Sequence, residues 1–273
     1  MTGIRSELSK SLSSLIATLE VGIPASPSSA RSEALELSLS KELSRYFRSL
    51  SDALPWEKIE SLYNRNVQES LREAAPLGFG DIFNPILQAF QTQLTAILQG
   101  HAINVYLRGS AEVTSWGRTM GGFPKLYEGP PMQEAINYAN TRAAQMVTNM
   151  DKVTQDRLAQ VVGDAIENKR GVDGLARDIR AAFDDMTTSR SQMIARTETS
   201  DSLEAAFMDR SKAMGVTGKE VVTGNPCEIC QAFEEEGVVP IDHEYVYDGK
   251  SYGERPPFHP RCVCALAPVI LET

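Results

Sequence analysis

The chain has 273 residues, 27 Lys+Arg against 36 Asp+Glu, a formal charge of −9 and four cysteines. That length suits one large domain or two small ones, and either can bury a core without disulfide staples. A composition of 42% hydrophobic and 23% charged residues excludes a wholly disordered chain. The acidic balance argues against coating nucleic acid through bulk charge, which leaves at most a local basic face for that role.

In chain order, residues 6–19 read as a first helix, followed by the Pro/Ser linker GIPASPSSA at 22–30. No apolar signal core forms at the start, because serines interrupt it and Glu20 ends it. A second helix is expected over 31–50, with Leu35, Leu39, Leu43, Phe47 and Leu50 on one face. Ser51 or Asp52 can cap a third, which runs past Trp56, Ile59, Tyr63, Val67 and Leu71 until Pro76. The stretch 82–107 lacks Asp, Glu, Lys and Arg and is long enough to span a bilayer, but its amides exclude that. Phe83, Ile86, Leu87, Phe90, Leu94, Ile97 and Leu98 step by three and four, which is an amphipathic helix.

A Gly-rich, poorly periodic stretch around 121–131 reads as a joint between an N-terminal helical region, 1–130, and the remainder of the chain. Beyond it, 132–150 reads as one helix, and Val153, Leu158, Val161, Ala165 and Ile166 line the next. Gly171 sits at a helix end, where a left-handed residue is easiest for glycine, and Asp173 can cap a short helix carrying Leu175, Ile179 and Phe183. A longer helical stretch covers 189–214, closing a second helical domain at 131–218. From Lys219 the texture becomes short, β-branched and turn-broken, with Asp248-Gly249 as a hairpin turn, so 219–273 reads as a β-rich tail. The fold class expected is therefore mainly α: a multi-helix body followed by a small β-rich C-terminal zinc knuckle.

The charge is uneven: −1 over residues 1–130, −8 over 131–273, and −6 in 219–273 alone. That makes the tail a poor surface for coating DNA and a better one for docking protein. All four cysteines lie in the last 47 residues, which looks like a metal site in a reduced, cytoplasmic protein rather than a disulfide framework. Cys227 and Cys230 form a C-x₂-C pair, and His259-Pro-Arg-Cys262-Val-Cys264 follows. Two thiolates on a tight turn and a distant His-x₂-Cys pair can clasp one tetrahedral zinc. Cys227, Cys230, His259 and Cys262 are the first set of ligands, and Cys264 is a fifth candidate that can replace His259 or Cys262. A filled Cys₃His shell has no open position, so its default role is structural. A disulfide or free-thiol arrangement is the alternative.

Three places invite an enzymatic reading. PCEIC matches half of a zinc deaminase signature, but His101, the only upstream histidine, is followed by Ala102 and Ile103 where a glutamate is required. Asp242 and His243 between the cysteine pairs suggest an HNH-like nuclease, a zinc knuckle whose histidine activates water; no asparagine follows Asn225 to complete that pattern. An ADP-ribosyltransferase could use Arg196 and the run Glu234-Glu235-Glu236, but the strands that fold needs are missing. The run from Arg196 to Ser202 is polar on every face of a helix. Either it breaks the helix, with Asp201 as N-cap and Glu204 closing a capping box, or it forms a buried hydrogen-bonded network.

The succession GVDGLARDIRAAF, SRSQMIARTETSDSLEAA, PCEIC and PPFHPRCVCAL resembles the phage Mu F-like head morphogenesis family of minor head proteins, over roughly 131–268. The family's Arg-Thr-Glu run falls on Arg196, Thr197 and Glu198, and its Cys/His motif on Cys227, Cys230, His259, Cys262 and Cys264. Val263 stands where the family often has arginine. The resemblance implies a non-enzymatic virion protein. It would sit inside the head near the portal vertex, after assembly in the bacterial cytoplasm. It would associate with the portal, major capsid or scaffolding protein during procapsid assembly, and influence DNA packaging, retention or ejection. Its partners would include non-specific DNA contact and no membrane. The resemblance also favours a structural polar network at Arg196, Thr197 and Glu198.

Overall fold

Apolar residues at helical spacing build most of the chain, which is mainly helical with a small antiparallel strand region at its C-terminal end. The structure, a computed structural model, describes residues 23–70, 79–119, 131–168, 170–224 and 226–271. The helix expected at 6–19 and most of the expected Gly-rich joint lie outside the described residues. The helices are α1 (Ala30–Asp52), α2 (Trp56–Ser70), α3 (Gly80–Thr119), α4 (Met132–Glu167) and α5 (Val172–Asp185). A π-helical turn, Met186–Arg190, joins α5 to α6 (Ser191–Met214). Then come β1 (Gly218–Val222), α7 (Glu228–Glu235), β2 (Val239–Pro240), β3 (Tyr245–Tyr247), β4 (Lys250–Gly253) and β5 (Ala265–Val269).

Several expectations need correction. Helix α3 runs 40 residues and passes Leu107 without a break, because Ala102, Val105, Tyr106 and Val113 continue a buried face. Helix α4 is one helix where two were expected. Its buried positions Ala143, Val147, Met150, Thr154, Leu158 and Val162 keep an unbroken spacing of three or four, and Asp151, which looks like a break, is buried beside Gln91. Gly171 is the N-cap of α5, with an extended backbone at φ −72°, and is not a left-handed terminator. Asp173 accordingly lies in the first turn and is not a cap. No helix is long and apolar enough to cross a membrane among the described residues.

The chain divides into two compact units, each assembled from separated stretches. The body unit comprises Ala34–Asn104 and Met132–Glu198. Its core joins Leu39, Leu43, Phe47, Ile59, Leu94 and Ile179 in one apolar cluster with Tyr46 and Tyr63. The Tyr63 hydroxyl donates to the carbonyl of Arg170 at 2.7 Å, so the ring is buried with its polar end satisfied.

The tail unit comprises the described parts of Met1–Glu33, Val105–Pro131 and Thr199–Thr273. In it the C-terminal half of α3 crosses α6 at Gly109, where an added Cβ would come within 3.1 Å of the Ala206 Cβ. Tyr106 locks that crossing by donating to Asp209 Oδ2 at 2.5 Å. The strands form a three-stranded antiparallel sheet in the order β2-β1-β5, and β3 pairs with β4 as a hairpin. The hairpin turns at Asp248 and Gly249, both at positive φ (50° and 72°), as their Asp-Gly sequence predicts.

Candidate metal centre

Cys227 is the N-cap of the short helix α7, and Cys230 lies in the helix's first turn, so both sulfurs sit at one end of it. The sequence suggested a bare tight turn here; a helix supplies the same closeness and adds backbone N–H groups near the sulfurs. Burial of the Cys227 thiol is outweighed by the Cys230 and Ile229 backbone N–H groups, the Cys230 side chain and the His259 charge, and its pKa falls. His259 and Cys262 share a turn in which the Cys262 N–H donates to the His259 carbonyl at 3.1 Å, and Arg261 takes a positive φ of 64°.

His259 Nδ1 lies 2.9 Å from the Pro260 carbonyl oxygen, so the tautomer protonated at Nδ1 leaves Nε2 free to accept. Nε2 lies 3.3 Å from the Cys227 sulfur and 3.2 Å from that of Cys230. The Cys230 and Cys262 sulfurs are 3.9 Å apart. Two sulfurs about 2.3 Å from one tetrahedral ion stand about 3.8 Å apart, so this edge already has the required length.

The five candidate donors form two triads that share Cys230: Cys227, Cys230 and His259, and Cys230, Cys262 and Cys264. Within each triad the ligand atoms lie within 4.8 Å of one another. All four cysteines are free thiols, so the structure shows no disulfide among them. Hydrogen bonding from the Cys264 thiol, against the cost of burial, lowers the Cys262 pKa to about 5. Burial and the Cys262 charge push Cys230 up to about 12. Cys264 is raised first by its bond to the Cys262 sulfur and then by burial. Packed this closely the thiols cannot all ionise, and a bound cation would relieve the conflict. The cluster could hold a metal ion.

An aromatic cluster holds the two halves of the site together. Phe233 of α7 packs against Phe258, next to His259, with ring centroids 4.7 Å apart, and against Tyr245 of β3 at 5.1 Å. Sequence reasoning did not single out Lys219. It is fully buried in β1, and its Nζ donates to the carbonyls of Ile241, His243 and Glu254 at 2.8, 2.7 and 2.6 Å. All three protons are used, and burial lowers its pKa to about 8 against the pull of Glu254. The available signal was strand alternation, which puts Lys219 on the face of buried Val221. Arg255 was also missed; its Nη1 donates to Asp201 Oδ1 at 2.9 Å and to the Asp201 carbonyl at 3.0 Å, tying the segment before the His/Cys turn to α6.

The polar run of α6 does not break the helix, which is continuous from Ser191 to Met214, so Asp201 is no N-cap. Glu198 accepts two bonds from Arg142, from Nε at 2.7 Å and Nη2 at 2.8 Å. The Thr197 hydroxyl donates back to the Met193 carbonyl at 2.8 Å, and Arg196 is half-buried. Glu204, expected in a capping box, is fully buried; burial raises its pKa well above the usual carboxylate range, against the lowering charge of Arg255.

His243 lies between β2 and β3, its Nε2 2.8 Å from Glu236 Oε2. Asp242 beside it is exposed. Glu234 accepts from the Thr223 backbone N–H and hydroxyl at 3.1 and 2.6 Å. No family model, no curated protein and no solved structure matches this chain.

Proposed function

We propose that the chain is a non-enzymatic minor head protein of a tailed phage or prophage, of the Mu F-like kind, whose tail unit is held together by a structural zinc ion. The observation that carries the reading is the convergence of Cys227, Cys230, His259, Cys262 and Cys264 around the shared Cys230 sulfur. Sulfur and imidazole donors without a carboxylate suit zinc best. Four of the five would fill a tetrahedral shell and leave no position for substrate water, which makes the role structural. Cys227, Cys230, His259 and Cys262 remain the first set, with Cys264 as the exchangeable fifth.

The ordered succession of the ARTET run, C-x₂-C and HPRCVC supports the family assignment. The tail's charge of −6 fits docking to a protein partner, the portal or a capsid or scaffolding protein, better than wrapping DNA. On this reading the protein acts inside the head near the portal vertex, after assembly in the host cytoplasm. Arg196, Thr197 and Glu198 serve as a structural polar network; the Arg142–Glu198 pair and the Thr197 bond to Met193 support this, while Arg196 Nε is buried without a hydrogen-bond partner.

The test has two arms. Purified protein should carry about one zinc per chain; a content near zero overturns the zinc assignment. The chain should co-purify with the portal protein and be present in procapsids, and its absence from both overturns the assembly role. In the nuclease reading His243 activates water; metal-dependent plasmid cleavage that is lost in His243→Ala would establish that reading instead.

A further inference from the structure

The five donors of the Cys/His cluster converge by threes. Cys227, Cys230 and His259 form one triad, and Cys230, Cys262 and Cys264 the other, with the Cys230 sulfur common to both. The triads differ in exposure and in chemistry. In the outer one Cys227 is exposed and His259 half-buried, and an imidazole joins two sulfurs. In the inner one all three donors are sulfur and all are buried.

The number of donors separates two kinds of occupant. One tetrahedral ion takes four ligands and leaves one of these five unused. Two four-coordinate ions sharing one sulfur would need seven donors, more than the five in the cluster. Two three-coordinate ions sharing one sulfur need five, and the cluster offers five in that connectivity. The lengths agree. Two sulfurs about 2.3 Å from an ion in a trigonal plane stand about 4.0 Å apart. The Cys230 and Cys262 sulfurs are 3.9 Å apart. His259 Nε2, at 3.3 and 3.2 Å from the Cys227 and Cys230 sulfurs, would swing outward by about half an ångström to bridge through an ion. Its partly exposed position leaves room for that.

Thiolates select copper(I), a soft ion of single charge whose shell three such donors complete. Zinc, divalent and tetrahedral in structural sites, is left short by three. Two divalent ions held against one shared sulfur would also repel each other about four times as strongly as two monovalent ones.

We propose that the cluster takes either one zinc ion or two copper(I) ions, the copper pair bridged by the Cys230 sulfur. The four thiols bind as thiolates and give four protons to solvent as the two copper ions enter, and no electron is transferred. The exposed Cys227 sulfur is the point of entry. The proposal rests on reading these five residues as metal ligands and not on the virion role.

The experiment titrates the purified full chain with copper(I) under anaerobic conditions, in the presence of a competing copper(I) chelator, and counts bound ions by native mass spectrometry. A plateau of two copper ions per chain is expected, reached with loss of the single zinc. Cys264→Ser opens the inner triad and keeps Cys227, Cys230, His259 and Cys262, so copper should fall to one per chain while zinc stays at one. A chain with its thiols alkylated should take none. A wild-type plateau at one copper or at three or more, two copper ions on the alkylated chain, or two on a folded Cys264→Ser variant each overturns the proposal. The wild-type plateau decides the matter even if that variant does not fold. One zinc with one copper overturns this proposal and leaves the zinc reading standing, whereas two copper ions on a chain that holds no zinc does the reverse.

Discussion

The body unit and the tail unit are stabilised in different ways. In the body, Phe47, Leu43, Leu94 and their neighbours form one contiguous apolar cluster on long helices, and most polar contacts lie around it. In the tail, the segments from β1 onward are only two to eight residues long, and named polar anchors hold them: Lys219 on three carbonyls, Arg255 on Asp201, and five sulfur and nitrogen donors around Cys230. A small region that cannot bury enough apolar surface needs such staples. The body therefore tolerates the loss of any one polar contact better than the tail does.

Four perturbations bear on this contrast. On the proposed zinc reading, the largest effect is expected from metal removal by a chelator, or from Cys230→Ser, because a structural zinc would contribute on the order of 10 kcal/mol to the order of the segment it closes. Near-UV circular dichroism of the Phe233–Tyr245–Phe258 cluster should collapse while the far-UV helical signal largely persists. Loss of both together would show that the tail anchors hold the body as well. In the body, Phe47→Ala empties a fully buried ring site and should cost about 3–5 kcal/mol in urea melts. A cost below about 1 kcal/mol would mean that the apolar cluster is not what holds that unit.

Lys219→Met keeps the stem and strands three carbonyls, so a loss of about 2–4 kcal/mol is expected, seen as earlier exchange of amides in β1 and β3. An unchanged protection pattern would remove Lys219 from the list of anchors. The smallest effect is a change of slope with pH. Asp151 has a raised pKa in the folded chain, so the folded state holds its proton more tightly than the unfolded one. Stability from this group is full below the ordinary carboxylate value and is lost as pH rises through the raised value. Asp151→Asn should remove that fall, and wild-type and variant curves that run parallel across the acid range would contradict it.

How far the sequence reading reached depended on the kind of signal. The faces of α1 and α2 were legible because their apolar residues repeat without interruption, and the Asp248-Gly249 turn because only certain residues take two successive positive φ values. The break expected near Met150 was wrong because a charged residue at a core position looks like solvent until its partner, Gln91 in a different helix, is known. The same applies to α6. Seven consecutive polar residues resemble a cap and a turn, yet the helix continues, with Glu198 and Asp201 paired to Arg142 and Arg255, 56 and 54 positions away. In the cysteine cluster the identity of all five donors was legible, because C-x₂-C and H-x₂-C spacings encode local closeness. The sharing of Cys230 between two triads was not.

The sequence by itself determined the mainly helical class, the β-textured tail and the chemistry of the Cys/His donors, since these follow from periodicity, turn residues and side-chain type within short windows. Tertiary structure alone decided that two discontinuous units form, that Lys219 is buried as a clamp, and that Asp151 is buried with one oxygen unpartnered. Those outcomes depend on which distant groups meet and on the cost of burying a charge. Neither is written in any local stretch of the chain.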